Sequence, residues 1–248
     1  MRITNRLSYF IILGALICIH PFQGWAQKSP LSQVLQKGKA VVSIEAIDAA
    51  TYKEGKPQGV FDRATGQILF VQKIRRVASV QTGGGIILDS HGIIVTAAHT
   101  LKNKKNIVVI LFDGTRLPAK IVHQVSNQDL SFVSITPSFP LETVRFANSD
   151  AAPVGMPVYA MGRAQWIKGT ITGGQISALG IEKINGKTRV TSFQIHFKAY
   201  KGDSGSPILD GQGNLLGMIS AGEVVGATTY AITSNMIGTA YREYLHSN

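Results

Sequence analysis

Residues 83–99 read GGGIILDSHGIIVTAAH. Two apolar runs, Gly83–Leu88 and Gly92–Ala97, are rich in β-branched residues, and Asp89-Ser90-His91-Gly92 between them has turn composition. Short apolar runs bounded by turn residues predict two strands joined by a tight connection. The second run ends in Ala97-Ala98, which leaves room around the imidazole of His99 at a strand end.

The same pattern extends in both directions. Ala40–Ala46 upstream, then Asn106–Phe112, Arg116–Val122 and Leu130–Ile135 downstream, read as further strands. Asp113-Gly114 is a hairpin signal between two of them. After Pro137–Pro140 breaks the chain, Val158–Met161, Ile167–Leu179, Arg189–Phe197, Ser206–Leu209, Leu215–Ser220 and Thr228–Ile232 repeat the style, with glycines such as Gly211 and Gly213 at turns. Leu31–Lys37 reads as one short helix. Ser234–His246 is the clear helical segment, with Ser234 or Asn235 as its cap. Residues 52–77 are mixed and basic and read as a long loop or hairpin extension. Short strands with Gly-rich turns predict an all-β fold, a sandwich or barrel pair rather than βαβ units. The break between Pro137 and Pro153 divides two similar halves.

Composition narrows the class. With 44% apolar and 16% charged residues, the chain is not a disordered polymer. Its net charge of +11 suits an anionic partner such as nucleic acid, a membrane surface or an acidic protein, and charge alone does not choose among them. The single cysteine, Cys18, makes no internal disulfide, and no Cys/His cluster has zinc-ligand spacing. Arg2 and Arg6, the apolar run Leu7–Ile19 and the small residues Gly24 and Ala26 have the layout of a secretory signal peptide cleaved after Ala26. Removal of residues 1–26 leaves residues 27–248 without cysteine, still basic and without a membrane-spanning run.

The sharpest chemical signal is Lys201-Gly202-Asp203-Ser204-Gly205-Ser206-Pro207. Glycines around Ser204 let a substrate approach, and the N–H groups of Gly202 and Ser204 are candidates to hold a developing oxyanion. Taken alone, the segment reads equally well as a Gly-Ser loop. A nucleophilic serine needs a base. His91 and His246 sit in a turn and at the C-terminus, and His123 and His196 lie in or at the ends of strands, which leaves His99. The base needs a buried carboxylate. Asp113 serves its turn, Asp150 lies in a polar linker and Asp203 adjoins the serine, whereas Asp129 opens the apolar strand Leu130–Ile135.

The order His99, Asp129, Ser204, within Thr96-Ala97-Ala98-His99, Asp129-Leu130 and Gly202–Pro207, resembles the trypsin-like serine peptidases. Gly83–Leu88 leading to His99, Asp113-Gly114 before Ala119-Lys120, and Thr170–Leu179 are similar to the HtrA/DegP protease domain. The resemblance covers roughly Leu31 to Tyr244. It implies two six-stranded antiparallel β-barrels, at about 38–138 and 153–235, with the site between them and a C-terminal helix at 234–246. It implies peptide-bond hydrolysis on protein or peptide substrates without metal or organic cofactor, outside the cytosol, in an enzyme of the kind that often forms oligomers. It places Phe197, Lys198 and Ala199 at the substrate pocket and Ser220, Ala221 and Gly222 at the edge that pairs with extended substrate. Lys198 suits an acidic side chain there if it points inward. If it points to solvent, Phe197 lines an apolar pocket.

Four features depart from the pattern. The PDZ domains usual in the HtrA group are expected to be absent. Asp203 replaces the Asn usual in the HtrA group, and no activation site precedes Ala40-Val41-Val42 to supply the new N-terminus with which that Asp pairs in many trypsin-like enzymes. Ser206 stands where both groups usually have Gly, and the insertion at 52–77 is long and basic. A catalytically silent module on the same scaffold is the alternative reading. A polyanion-binding protein is another, from Lys102, Lys104, Lys105 and Lys73, Arg75, Arg76. No nucleic-acid motif accompanies those runs, and solvated loop charge explains them more simply.

Overall fold

A computed structural model describes residues 29–48, 51–54, 58–62, 67–71, 74–77, 80–162, 170–184, 186–222 and 226–247. The expected signal peptide lies outside the described residues. A short helix, α1 (Pro30–Gln36), starts on the cap Ser29 with Pro30 in its first turn. Strand β1 (Val41–Ile47) follows. The basic insertion forms β2 (Thr51–Glu54), β3 (Gln58–Asp62), β4 (Gln67–Val71) and β5 (Ile74–Val77), paired antiparallel as β2 with β5 and β3 with β4. It is thus a hairpin extension.

Five more strands complete the first barrel. They are β6 (Val80–Ile87), β7 (Ile93–Ala97), β8 (Asn106–Ile110), β9 (Arg116–Val125) and β10 (Leu130–Ser134). They close with β1 in the order β1-β6-β7-β10-β9-β8. The second barrel contains β11 (Pro157–Gly162), β12 (Thr170–Ile184), β13 (Lys187–His196), β14 (Pro207–Leu209), β15 (Leu215–Gly222) and β16 (Thr228–Thr233). These close in the order β11-β12-β13-β16-β15-β14. All ladders of both barrels are antiparallel, and closure leaves no free sheet edge within them.

The apolar runs of residues 83–99 are continuous because their strands bury both faces. Val42, Ile44, Ile87, Ile94, Val109 and Val133 fill the first barrel. The alternate residues Val41, Ile86, Val95, Leu130 and Phe132 face outward, where Met161, Leu209, Leu215 and Met218 of the second barrel cover them. Period-two alternation disappears where both faces are apolar. By contrast β9, with one face in water, alternates between exposed and half-buried residues over most of its length. Ile176, Phe193, Ile195, Ile208, Leu216 and Ile219 form the core of the second barrel.

The last helix, α3 (Ser234–His246), has the range that its pattern predicts, but Thr233 occupies the cap. Its side chain makes no capping bond and donates instead to the Val190 carbonyl. The first turn is served from a distance: the Asn235 N–H donates to Ser149 Oγ, and Ser234 Oγ donates to the Ala147 carbonyl. Tyr241 and Tyr244 stack on the fully buried Phe132 with ring centroids 6.0 and 6.1 Å away. The Tyr241 hydroxyl donates to Asp89 Oδ2 at 2.7 Å. The end of the chain thereby clamps the first barrel against the second.

Candidate active site

β7 runs directly into a single helical turn, α2 (Ala98–Leu101), and this turn presents His99. β10 pairs with β7 so that Leu130 faces Ala97. The register sets Asp129 against the first turn of α2, where its carbonyl accepts the Ala98 N–H at 2.9 Å. Asp129 adopts a left-handed conformation, φ +54°, after the 3-10 turn Ser126–Gln128. Aspartate is among the few residues that tolerate this region.

The Asp129 carboxylate holds His99 at two points. Oδ1 accepts the His99 backbone N–H and Oδ2 lies on Nδ1, both at 2.9 Å. Ser220 Oγ donates to the same Oδ2 at 2.6 Å. The hydrogen bond and the charge of Asp129 raise the His99 imidazole above its ordinary value, against the opposing effect of burial. Burial pushes the Asp129 carboxyl upward, but its bonds from His99 and Ser220 outweigh this and hold it below the ordinary carboxylate value.

Ser204 comes from the second barrel, in the turn before β14. Gly202 and Gly205 have φ of +101° and +88°. A Cβ on Gly205 would lie 2.1 Å from the Gly84 carbonyl oxygen, so only glycine fits there. Backbone bonds pin the loop: Gly84 N–H to the Ser204 carbonyl, Gly205 N–H to the Ile219 carbonyl, Ile219 N–H to the Ser206 carbonyl and Ser206 N–H to the Asp203 carbonyl. Ser204 Oγ donates to the Ser220 carbonyl at 3.2 Å and makes no hydrogen bond to His99. Among the described residues, the N–H groups of Gly202 and Ser204 have no acceptor.

The structure thus brings His99 and Asp129 into direct contact and connects Ser204 to them through Ser220. Ser220 carries more than strand pairing. The β15–β16 register shifts between Ile219 and Ala221, and this bulge lets Ser220 send its hydroxyl to Asp129 while its carbonyl meets Ser204. A serine at a strand end carries no sequence signal for that double contact.

The other aspartates have separate partners. Asp113 Oδ1 accepts the Thr115 N–H in its hairpin turn, and Asp150 pairs with Arg189 at 2.7 Å. Asp203 Oδ2 accepts the Tyr200 N–H at 2.7 Å, and burial raises its carboxyl above the ordinary value despite that bond. A cavity of about 190 Å³ lies against Asp203, Tyr200, Phe197 and Thr172. Phe197 is buried there, whereas Lys198 is exposed with its Nζ 5.7 Å from the centre of the Tyr200 ring. Thr229 Oγ1 donates to the Phe197 carbonyl and accepts the Ala199 N–H, which fixes this segment against Gly222. Another cavity, of about 700 Å³, lies along α3 beside Gln128, Arg189 and Tyr241 and includes none of His99, Asp129 and Ser204.

Two closed antiparallel barrels, with a His–Asp pair on one and a glycine-flanked serine loop on the other, define the double-barrel class of serine peptidases. The family model described as "Trypsin-like peptidase domain" matches residues 83–218, more than half of the chain, and the chain belongs to that family. Among curated relatives, periplasmic serine endoprotease DegP of Escherichia coli (strain K12) is 32% identical over 161 residues, 62% of this chain and 34% of that protein. A probable periplasmic serine endoprotease DegP-like of Rickettsia conorii is 34% identical over 146 residues, 58% of this chain and 29% of that protein. A DegP-like protein of the same description from Buchnera aphidicola subsp. Baizongia pistaciae is 28% identical over 227 residues, 87% of this chain and 49% of that protein. The chain therefore spans half or less of the length of these relatives.

Proposed function

We propose that the chain is an exported serine endopeptidase that cleaves peptide bonds through an acyl-enzyme. The observation that carries this reading is the two-point grip of Asp129 on His99, with Ser204 held one residue away on Ser220. In the reaction, Ser204 Oγ leaves the Ser220 carbonyl and attacks the substrate carbonyl while His99 Nε2 takes its proton. Asp129 keeps Nδ1 protonated and stabilises the imidazolium. The free N–H groups of Gly202 and Ser204 receive the oxyanion, a donor of this kind being worth about 3 kcal/mol of transition-state stabilisation. His99 then protonates the leaving amine, and water releases the acyl group.

The substrate lies as an extended segment against Ser220–Gly222, with its side chain at the cleavage site beside Phe197–Ala199. The exposure of Lys198 and the burial of Phe197 favour an apolar rather than an acidic preference. Residues 1–26 act as signal peptide and 27–248 as peptidase domain, which agrees with the periplasmic relatives. Among the described residues no helix is long and apolar enough to cross a membrane.

A fluorophosphonate probe tests the reading. The native protein is expected to be labelled at Ser204, and Ser204→Ala and His99→Ala to resist labelling. A native protein that is folded, unlabelled and inactive on a broad peptide library would instead be a binding module, in which Ser204 stays on the Ser220 carbonyl.

A further inference from the structure

Thr96 is fully buried on β7, three residues before His99, and its hydroxyl bonds to Gly84 rather than to His99, Asp129 or Ser204. Its Oγ1 donates to the Gly84 carbonyl at 2.7 Å. The N–H of Gly84, on the other side of the same residue, donates to the Ser204 carbonyl at 2.8 Å. Gly84 is enclosed from a third direction: a Cβ there would lie 2.4 Å from Ser206 Oγ and 2.8 Å from the Ser206 nitrogen. Gly205, next to the nucleophile, fits only because it lacks a side chain, since a Cβ would lie 2.6 Å from Thr96 Oγ1. Three backbone segments, β6 at Gly84, β7 at Thr96 and the loop Ser204–Ser206, therefore meet closely around Gly84.

We infer that Thr96 is a positioning residue for the nucleophile loop, acting through Gly84, an inference that rests on the peptidase reading above. The hydroxyl fixes the carbonyl of Gly84 and with it the residue that grips Ser204. β7 also delivers His99, so a single strand sets the base by its end and the nucleophile by its Thr96 side chain. The two barrels must keep the His99–Ser204 geometry across a seam, and a small misplacement of reacting groups is costly in rate. The seam side chains resist separation of the barrels but are non-directional. The Thr96–Gly84–Ser204 chain adds a directional link at the site itself.

The test compares Thr96→Val, which keeps the shape and removes the hydroxyl, with Thr96→Ser, which keeps the hydroxyl. Thr96→Val is expected to slow fluorophosphonate acylation and kcat by about tenfold per folded molecule with KM little changed, the size of one lost hydrogen bond. Thr96→Ser is expected to restore the rate to within about threefold. Equal rates in Thr96→Val and wild type, or equal losses in Val and Ser, would overturn the inference in favour of simple packing. If Thr96→Val does not fold, Thr96→Ala against Thr96→Ser makes the same comparison. Amide exchange supplies a readout independent of catalysis: Gly84 and Gly205 N–H are expected to be protected in wild type and in Thr96→Ser and to lose protection in the variant without the hydroxyl. If wild type shows neither acylation nor cleavage, the peptidase reading fails, and the exchange pattern alone decides the Thr96 link.

Discussion

Asp129 grips His99 at both its backbone and its ring, with one carboxylate oxygen on the N–H and the other on Nδ1, each at 2.9 Å. The two bonds fix the place and the tautomer of the imidazole together. Asp129→Asn separates these roles. Asparagine tolerates the left-handed conformation at φ +54° and retains an oxygen for the backbone N–H. It cannot keep Nδ1 protonated if its amide nitrogen faces the ring. The expected outcome is a folded protein whose acylation rate falls by about 10³–10⁴-fold. Thermal unfolding and stopped-flow labelling of the same preparation check both halves.

Activity and stability are expected to have different pH optima. His99 must be neutral to act as base, and Asp129 raises its pKa by hydrogen bond and charge against burial. The acylation rate should therefore fall with decreasing pH through a midpoint above the ordinary imidazole value of about 6.5. The linkage to folding has the opposite sense. A raised pKa gives stability that is full below the unfolded imidazole value and is lost as pH rises through the folded one. The lowered Asp129 value gives stability present above the unfolded carboxylate value and lost as pH falls through the folded one. Both contributions coexist between about pH 4 and 6.5. A thermal midpoint that peaks in that window, with acylation reaching its plateau only at higher pH, is the expected pattern. Coincident optima would contradict it.

Ser220→Ala removes the 2.6 Å donor from Asp129 and leaves the backbone carbonyl that meets Ser204. A hydrogen bond to a half-buried carboxylate contributes about 1–2 kcal/mol at neutral pH once solvent exposure is allowed for. The loss should shrink at acid pH, where the protonated carboxyl needs the donor less. Denaturant unfolding at two pH values measures this, and an equal loss at both would place the effect in packing.

Much of the fold and the His99–Asp129 contact of the candidate site were legible in the sequence, and what escaped has a common cause. The seam strands are apolar on both faces, so Gly83–Leu88 and Leu130–Ile135 stand out as runs. α3 stands out because Met236, Ile237, Ala240, Tyr241, Tyr244 and Leu245 recur at helical spacing after Ser234-Asn235. His99, Asp129 and Ser204 emerge because each sits where a strand meets small or turn-forming residues. The double contact of Ser220 depends on a one-residue bulge, which leaves no trace in composition. The cap of α3, expected at Ser234 or Asn235, lies at Thr233, one or two residues earlier, because the Asn235 N–H is satisfied by Ser149, which lies 86 positions earlier in the chain. Thr96 was visible only as part of a motif, since its acceptor lies on a different strand. Local pattern reports burial and turns, whereas these contacts are long-range products of the barrel closure.

Ser206 supplies a prediction in the opposite direction. Its side chain is fully buried, and its Oγ, pressed toward Gly84, has no hydrogen-bond partner in the structure. An unsatisfied buried hydroxyl costs about 1–3 kcal/mol, more than the few contacts that one oxygen atom makes. The backbone bonds of Ser206, to Asp203 and from Ile219, do not involve the side chain. Ser206→Ala therefore keeps the backbone, fills the space up to Cβ and removes the penalty. Ser206→Gly also removes it but adds backbone freedom to the unfolded chain, which offsets about 0.5–1 kcal/mol. The expected order of unfolding free energy is Ala above Gly, with Gly at or above the wild type, and little change in acylation rate for Ala. Denaturant titration of the three proteins decides it. A loss of stability in Ser206→Ala would mean that the hydroxyl is hydrogen-bonded in solution and belongs to the lock around Gly84.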